Sequence, residues 1–515
     1  MNTYFKHTST LLLFVFLTNC NIYSQHYNRN TEQWRGNKSY RVNYVGTDVS
    51  GNIFSKTNTQ RFGKSKPWGK TFTPFGKSVI QEKPFFKKQF KDQGYTFVDL
   101  IVENNKPIIL FKEKNGLDDE LYGVDTNHKL EFIGNPYKIG RAQSCRNRST
   151  TLTHQKSQKG ERTFLSRFNC SSDTNLVLKR IGLTDQNMVF YDHNIELDIK
   201  GKIHNLSVVS KGSDVYFAFD NNNDSYLYVS DHFGNTEKLK VPTKNKSFET
   251  ADIEVVENQE GVFITGQVRG KMSKLFNGIF IGKIDTENRR VKDVKLFFYK
   301  ISFIERFWDN EPARRIGEKG KLVESDVNFR IVDRLNLDNG HTIYFVQKHY
   351  SQRVRVKVNY GAEFKTFYSK EYHHFTDLLI THLKPDGEPK WVVNLPLFQL
   401  FEDENPGKAF IASYKEGNVY VMHAAREDLA QIINNREDYI VEDKLNQKNS
   451  ENIAITKVKS DGTVSSENVL SRKADLHSFH PEKVGVDNVN KNFLIFNSQR
   501  RFILPNRMLI SSLSF

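Results

Sequence analysis

Two kinds of stretch in this chain bring together residues able to do chemistry. The first is KHYSQRVR, residues 348–355, which holds His349, Tyr350 and Arg353, with His373 a short way along the chain. Imidazole and phenol groups exchange protons, and a guanidinium neutralises a carboxylate through paired N–H donors. These are the residue types of a lyase that cuts a uronate-containing glycan. Arg353 would clamp the carboxylate, His349 would remove the adjacent ring proton, Tyr350 would act as acid or base, and His373 would stand in reserve. The same residues also suit the ordinary ends of strands.

The second is cationic. Residues 55–91, SKTNTQRFGKSKPWGKTFTPFGKSVIQEKPFFKKQFK, carry one acid, Glu82, among many lysines interleaved with Phe and Trp68. A further basic run, RAQSCRNRSTTLTHQKSQKGER, covers 141–162. Cations meet carboxylate, sulfate or phosphate, and aromatic rings stack on sugars. Lys64, Lys66, Trp68, Lys70, Lys87, Lys88, Arg146 and Arg148 are therefore candidate polyanion contacts, within a chain whose 75 Lys+Arg against 60 Asp+Glu give a formal +15. Such runs also serve as solvated linkers.

Other patterns lack a necessary part. DNNND, 220–224, alternates oxygen ligands but has no bidentate Glu at calcium-loop spacing and reads as a turn. EYHHFTDLLITH, 371–382, gathers His373, His374 and His382 without an HExxH helix, so no metal is assigned. FGKSKPWGKT, 62–71, lacks the GxxxxGK[ST] order of a phosphate loop, and no Gly-x-Ser-x-Gly elbow occurs. No cofactor is implied.

These groups need elements to hold them. TDLLITHLKPDGEPKWVVNLP, 376–396, reads as two strands joined by a turn at Pro385-Asp386-Gly387, with Gly supplying the positive φ. Six more stretches follow the same logic, beginning at Asp119, Asn187, Asp224, Gly278, Glu451 and Asn506. A further hairpin precedes each of the seven, from Val98, Phe164, Leu206, Asp252, Phe329, Ala409 and Glu482. Paired hairpins make four-stranded meanders, so the pattern predicts an all-β, single seven-bladed β-propeller with blades from residue 98. The last unit lacks a return strand. SYRVNYVG, 39–46, is expected to supply it and close the ring, leaving 47–97 as a basic loop. Long segments at 47–97, 137–163, 299–328, 351–375 and 427–450 are expected on one side, because second-to-third and blade-to-blade connections share a side of a meander ring.

The frame DLLITHLKPDGEPKWVVNLP, with Asp377, the Asp386-Gly387 turn and Trp391, resembles the blade repeat of propeller-like proteins exported by Bacteroidetes. The YSQ at 23–25 is similar to the end of their signals. The resemblance implies architecture and export, and carries over no catalytic residue.

The N-terminus agrees with export. Lys6 precedes the apolar run TLLLFVFLT, 10–18, of signal-peptide length. Cleavage after Ser24 would leave 25–515; lipidation at Cys20, at the end of LTNC, is the alternative and would tether the protein to a membrane. No later stretch is long and apolar enough for a transmembrane helix. Cys145 and Cys170 then remain, and an oxidising compartment permits them to pair. The expected location is periplasmic, outer-membrane-associated or extracellular. There the partner is an acidic glycan or an envelope protein rather than nucleic acid, bound by a non-catalytic module; a polysaccharide lyase is the alternative.

Overall fold

The structure is a computed structural model. It describes the strands and most of their turns between residues 28 and 514; residues 1–27, 85–94, 300–327, 403–406, 426–451 and 472–480, with shorter stretches of the connections, lie outside the described residues. Every element of the described residues is a strand, and the strands form eight four-stranded antiparallel sheets.

After β1 (Asn28–Gly36), the first sheet is β2 (Arg41–Thr47), β3 (Ile53–Arg61), β4 (Lys64–Phe72) and β5 (Val79–Pro84). The second is β6 (Tyr95–Glu103), β7 (Lys106–Asn115), β8 (Asp118–Thr126) and β9 (Phe132–Gln143). β10 (Ser149–Lys156), β11 (Arg162–Asn169), β12 (Asn175–Leu183) and β13 (Val189–Lys200) make the third. The fourth holds β14 (Ile203–Lys211), β15 (Asp214–Asn221), β16 (Asp224–Ser230) and β17 (Thr236–Leu239). β18 (Phe248–Asn258), β19 (Gly261–Gly270), β20 (Gly278–Asp285) and β21 (Arg290–Phe298) form the fifth. The sixth is β22 (Asn328–Asn336), β23 (Thr342–Tyr360), β24 (Phe364–Leu383) and β25 (Pro389–Glu402). Next come β26 (Phe410–Lys415), β27 (Asn418–Ala425), β28 (Asn452–Val458) and β29 (Val464–Ser471). The eighth sheet joins β30 (Val484–Val486), β31 (Phe493–Gln499) and β32 (Asn506–Ser514) to β1.

Seven of the sheets are meanders in sequence order and the eighth runs β30-β31-β32-β1, and apolar residues alternate to both faces. The core is consequently a series of layers between neighbouring sheets. Phe54 packs with Leu100, Ile109 and Phe111 between the first and second sheets. Leu227, Val229, Ile253 and Ile264 fill the layer between the fourth and fifth. Phe345, Ile380, Phe410 and Val421 do so between the sixth and seventh, and Met422, Ile455, Phe493 and Leu513 between the seventh and eighth. First strands touch their neighbours around the ring, β14 against β18, β26 against β30, and β2 against both β30 and β6. This is the β-propeller architecture.

The seven-bladed expectation is overturned, because the described residues form eight four-stranded sheets. The extra sheet comes from the stretch read as a closing strand and a basic loop. β2, which contains most of 39–46, pairs with β3 and starts the first sheet; the strand that pairs with β32 is β1, with Asn28 opposite Ser514 and Gly36 opposite Asn506. The stretch 47–97 holds β3, β4, β5 and the start of β6 rather than one loop. Its many Lys, Gly and Pro weaken the apolar alternation by which strands are read. Ile53 and Phe54, both buried, anchor it to the core. Likewise the hairpin expected from Asn187 is one strand, β13, because the third sheet begins earlier, at β10.

Candidate ligand-binding side

In a meander ring, first-to-second and third-to-fourth turns share one side and second-to-third connections share the other. On the first side a five-residue turn recurs. Residues 127–131, 231–235, 337–341, 384–388 and 459–463 each close with a bond from the first N–H to the fifth carbonyl and one from the fourth N–H to the first carbonyl. Gly387 and Gly462 supply φ +82 and +86 at the fourth position. These turns are short and packed.

Two hairpins on the other side are better placed to meet a ligand. β3 and β4 are each nine residues long, joined across 62–63, and pair from Ile53–Phe72 to Arg61–Lys64. β23 and β24 have 19 and 20 residues, whereas β22 has nine. Asn328 pairs with His349, so β23 beyond that point extends past its first-strand neighbour.

Lys64, Lys66, Trp68 and Lys70 therefore stand on a strand rather than in a loop. They are alternate positions of β4, which the period of two assigns to one face of the sheet. Arg61, Thr59, Thr57 and Ser55 lie opposite them in register, and Glu82 of β5 lies opposite Lys70. Lys87, Lys88, Arg146 and Arg148 lie outside the described residues, as do Cys20, Cys145, Cys170 and the signal segment 1–24.

The lyase set divides between two faces of the sixth sheet. His349 is half-buried, its Nε2 3.2 Å from Nδ1 of buried His373, and its ring packs on Phe375 at 4.6 Å. Tyr350, one residue on, belongs to the opposite face and stacks on His374 with ring centroids 4.4 Å apart. Arg353 is an even number of residues beyond His349 and takes the His349 face by register, where Glu371 pairs with it. His349, His373 and Arg353 thus share a face, and Tyr350 does not. Burial, with His373 next in effect, lowers the His349 pKa to about 4.

Sequence reasoning missed two buried charges beside Tyr350. Lys348 Nζ stands 3.9 Å from Asp377 Oδ2, and the two side chains are 3% and 0% exposed. Burial pushes the Asp377 carboxyl up to about 6, against the pull of Lys348. The Lys also lies 5.4 Å from the Phe329 ring centroid. A lone Lys beside a His-Tyr pair gave no sign in sequence that it would be internal.

Asp220, within DNNND, sits in β15 and not in the turn itself, whose residues 222–223 lie outside the described residues. Burial raises its pKa to about 6, although Ser225 Oγ donates to it at 2.7 Å and Ile253 N at 3.2 Å. Asn205 Nδ2 bridges it to Asp252, at 3.3 and 2.7 Å. The Asp220 oxygens thereby hold the first strand of the next sheet. Gln347 of the sixth sheet does the same for the seventh, accepting at 3.2 Å from Ala409 N, next to β26. These are ties between blades.

Charges along the first strands are paired too. Lys211 meets Glu257 at 2.9 Å, Arg334 meets Glu254, and Lys408 meets Asp333 at 2.5 Å, each pair joining successive sheets. Cations so matched offer little to an external anion.

The chain matches no known family and no curated protein. It is similar in fold to several solved structures. The polysaccharide lyase Uly1 is 11% identical over 95% of this chain and 99% of that one, with a TM-score of 0.38. The Dos1 propeller is 8% identical over 94% and 95%, with a TM-score of 0.41. A protein of unknown function from Bacteroides caccae is 9% identical over 69% and 94%, at 0.29.

Proposed function

We propose that this β-propeller is a non-catalytic binding module for an acidic glycan, engaged through the cationic strand β4 on the side of the second-to-third connections. The observation that carries the reading is the alternation of Lys64, Lys66, Trp68 and Lys70 on one face of β4, with Arg61 opposite Lys64 and one acid, Glu82, across the strand. A row of cations with an aromatic ring suits a chain of carboxylates or sulfates on sugars. Lys87, Lys88, Arg146 and Arg148 extend the same charge in sequence, and the reading includes them. Export through the 1–24 signal, or a lipid tether at Cys20, would bring the module to where such glycans occur.

A lyase is the second reading, favoured by the shared face of His349, His373 and Arg353. It meets two physical objections. Tyr350 belongs to the other face, so it cannot complete that set as acid. A histidine with a pKa of about 4 is neutral near pH 7 but a weak proton acceptor, far from the poise that general-base catalysis rewards.

The test is retention of the mature protein on immobilised polygalacturonate, run beside an absorbance assay for unsaturated uronates. Lys64→Gln, Lys66→Gln and Lys70→Gln together should abolish retention with little loss of stability, since surface changes usually stay within about 0.5 kcal/mol each. Retention by the parent should weaken steeply with salt. New absorbance would establish the lyase instead, and retention indifferent to both salt and the Gln set would end the polyanion reading.

A further inference from the structure

The sixth sheet carries a second cationic row that the β4 reading does not use. Beyond Tyr350, β23 and β24 continue as a ribbon, with Arg353 opposite Glu371, Arg355 opposite Ser369, Lys357 opposite Phe367 and Asn359 opposite Lys365. The period of two puts Arg353, Arg355, Lys357 and Lys365 on one face of this ribbon. Val354, Val356, Val358 and Tyr360 fall on the other, opposite Lys370, Tyr368, Thr366 and Phe364. β23 and β24 are the second and third strands of their sheet, so the end they share with Tyr360 opposite Phe364 lies on the same side of the ring as the shared end of β3 and β4.

Resting on the acidic-glycan reading, we infer that the Arg353, Arg355, Lys357 face of the β23–β24 ribbon is a second, separate track for the same linear polyanion, so that the ligand is a polymer that spans several acidic sugars. Three facts support it. Like charges in a row repel one another, and the row has a single acid opposite it, Glu371. An external anion relieves that repulsion. The cations recur about every 6.8 Å, twice the strand rise, so three of them reach over about 14 Å and a single sugar acid can touch only one. Finally, the row continues the face on which His349 and His373 meet at 3.2 Å, so two further polar rings stand in line with the cations.

The experiment compares the parent, the triple variant Arg353→Gln, Arg355→Gln, Lys357→Gln, and the charge-keeping variant Arg353→Lys, Arg355→Lys. Binding is measured by titration with polygalacturonate and with galacturonic acid monomer, across salt concentrations, with circular dichroism as the check on folding. The triple variant should bind the polymer about tenfold more weakly, three charge contacts having been removed. Its salt slope on a log–log plot should fall by about 2, from roughly 0.7 counterion per lost contact. The Lys variant should keep the parent slope, which separates lost charge from lost folding. The monomer should bind parent and variants equally weakly.

A triple variant that is folded and binds polymer with the parent slope would overturn the second track while leaving the β4 site intact. Failure of the parent itself to bind polygalacturonate would instead overturn the acidic-glycan reading. Equal binding of single-stranded DNA by the parent, lost in the triple variant, would keep the track as a cationic surface and overturn its assignment to a glycan.

Discussion

Lys348 and Asp377 show how much a single buried pair can depend on its partner. Their separation of 3.9 Å is an ion pair rather than a close hydrogen bond, and both side chains are almost wholly enclosed. Removing the cation leaves an uncompensated carboxylate inside the sheet. Lys348→Met should therefore cost about 3–5 kcal/mol, read as a lower urea midpoint, and Lys348→Met with Asp377→Leu should restore most of it. The loss should depend on pH with a definite sign. The folded-state pKa of Asp377, about 6, lies above its unfolded value of 3.8, so the folded state binds the proton more tightly and that contribution disappears as pH rises through about 6. The variant should thus lose less stability at acid pH than above neutrality. An equal loss at both would mean that Asp377 is not the group left behind.

At the scale of elements, the five-residue turns at 231–235, 384–388 and 459–463 each pack against the sheet before their own. Trp391 of β25 donates from Nε1 to Ser460 O at 3.2 Å, and a Cβ at Gly462 would come within 2.9 Å of the Trp391 Cβ. Gly387 fits over Ile281 and Lys295 of the fifth sheet in the same manner, and Gly234 over His193 of the third. At Gly462 and Gly234 glycine is therefore needed twice over, for its positive φ and for its neighbour, whereas at Gly387 the neighbours stand at 3.4 Å, and the 127–131 turn carries Leu130 at φ +58 in the same place. Gly462→Ala should lower stability by about 1–3 kcal/mol in thermal or urea melts, the range of strain in a left-handed position plus overpacking. Gly407→Ala, with φ +75 but nothing within 4 Å of its Cβ position, isolates the backbone part and should cost less. Equal effects would show that Trp391 yields freely.

The whole ring depends on joining its two ends. β1 pairs along β32 from Asn28–Ser514 to Gly36–Asn506, bringing the first described strand of the chain into the last sheet. Deleting residues 28–36 would leave β32 with an unpaired edge, which invites association with other chains. The deletion should lower the melting temperature sharply and raise light scattering on heating. Deleting 39–46 is a different injury, because it removes the first strand of the first sheet rather than the closure. A 28–36 deletion as stable and as monodisperse as the parent would refute closure by β1.

By itself the sequence determined the class of the fold, since alternating apolar residues and Gly-containing turns are local signals, and each strand of the quoted Thr376–Pro396 hairpin appears as β24 and β25. It also determined the cationic alternation of β4 and of KHYSQRVR. The number of sheets was decided only in three dimensions. A polar, glycine-containing run such as 55–72 becomes a sheet through backbone pairing and the anchoring of Ile53 and Phe54, neither of which leaves a strong periodic mark. Tertiary structure also decided that His349 and Tyr350, neighbours in sequence, serve opposite faces, and that Lys348 and Asp377, 29 positions apart, meet inside. The physical reason is common to all of these. Local spacing specifies strands and turns, whereas burial, the enclosure of charge and the choice of which strand completes a sheet depend on groups that chain order does not place together.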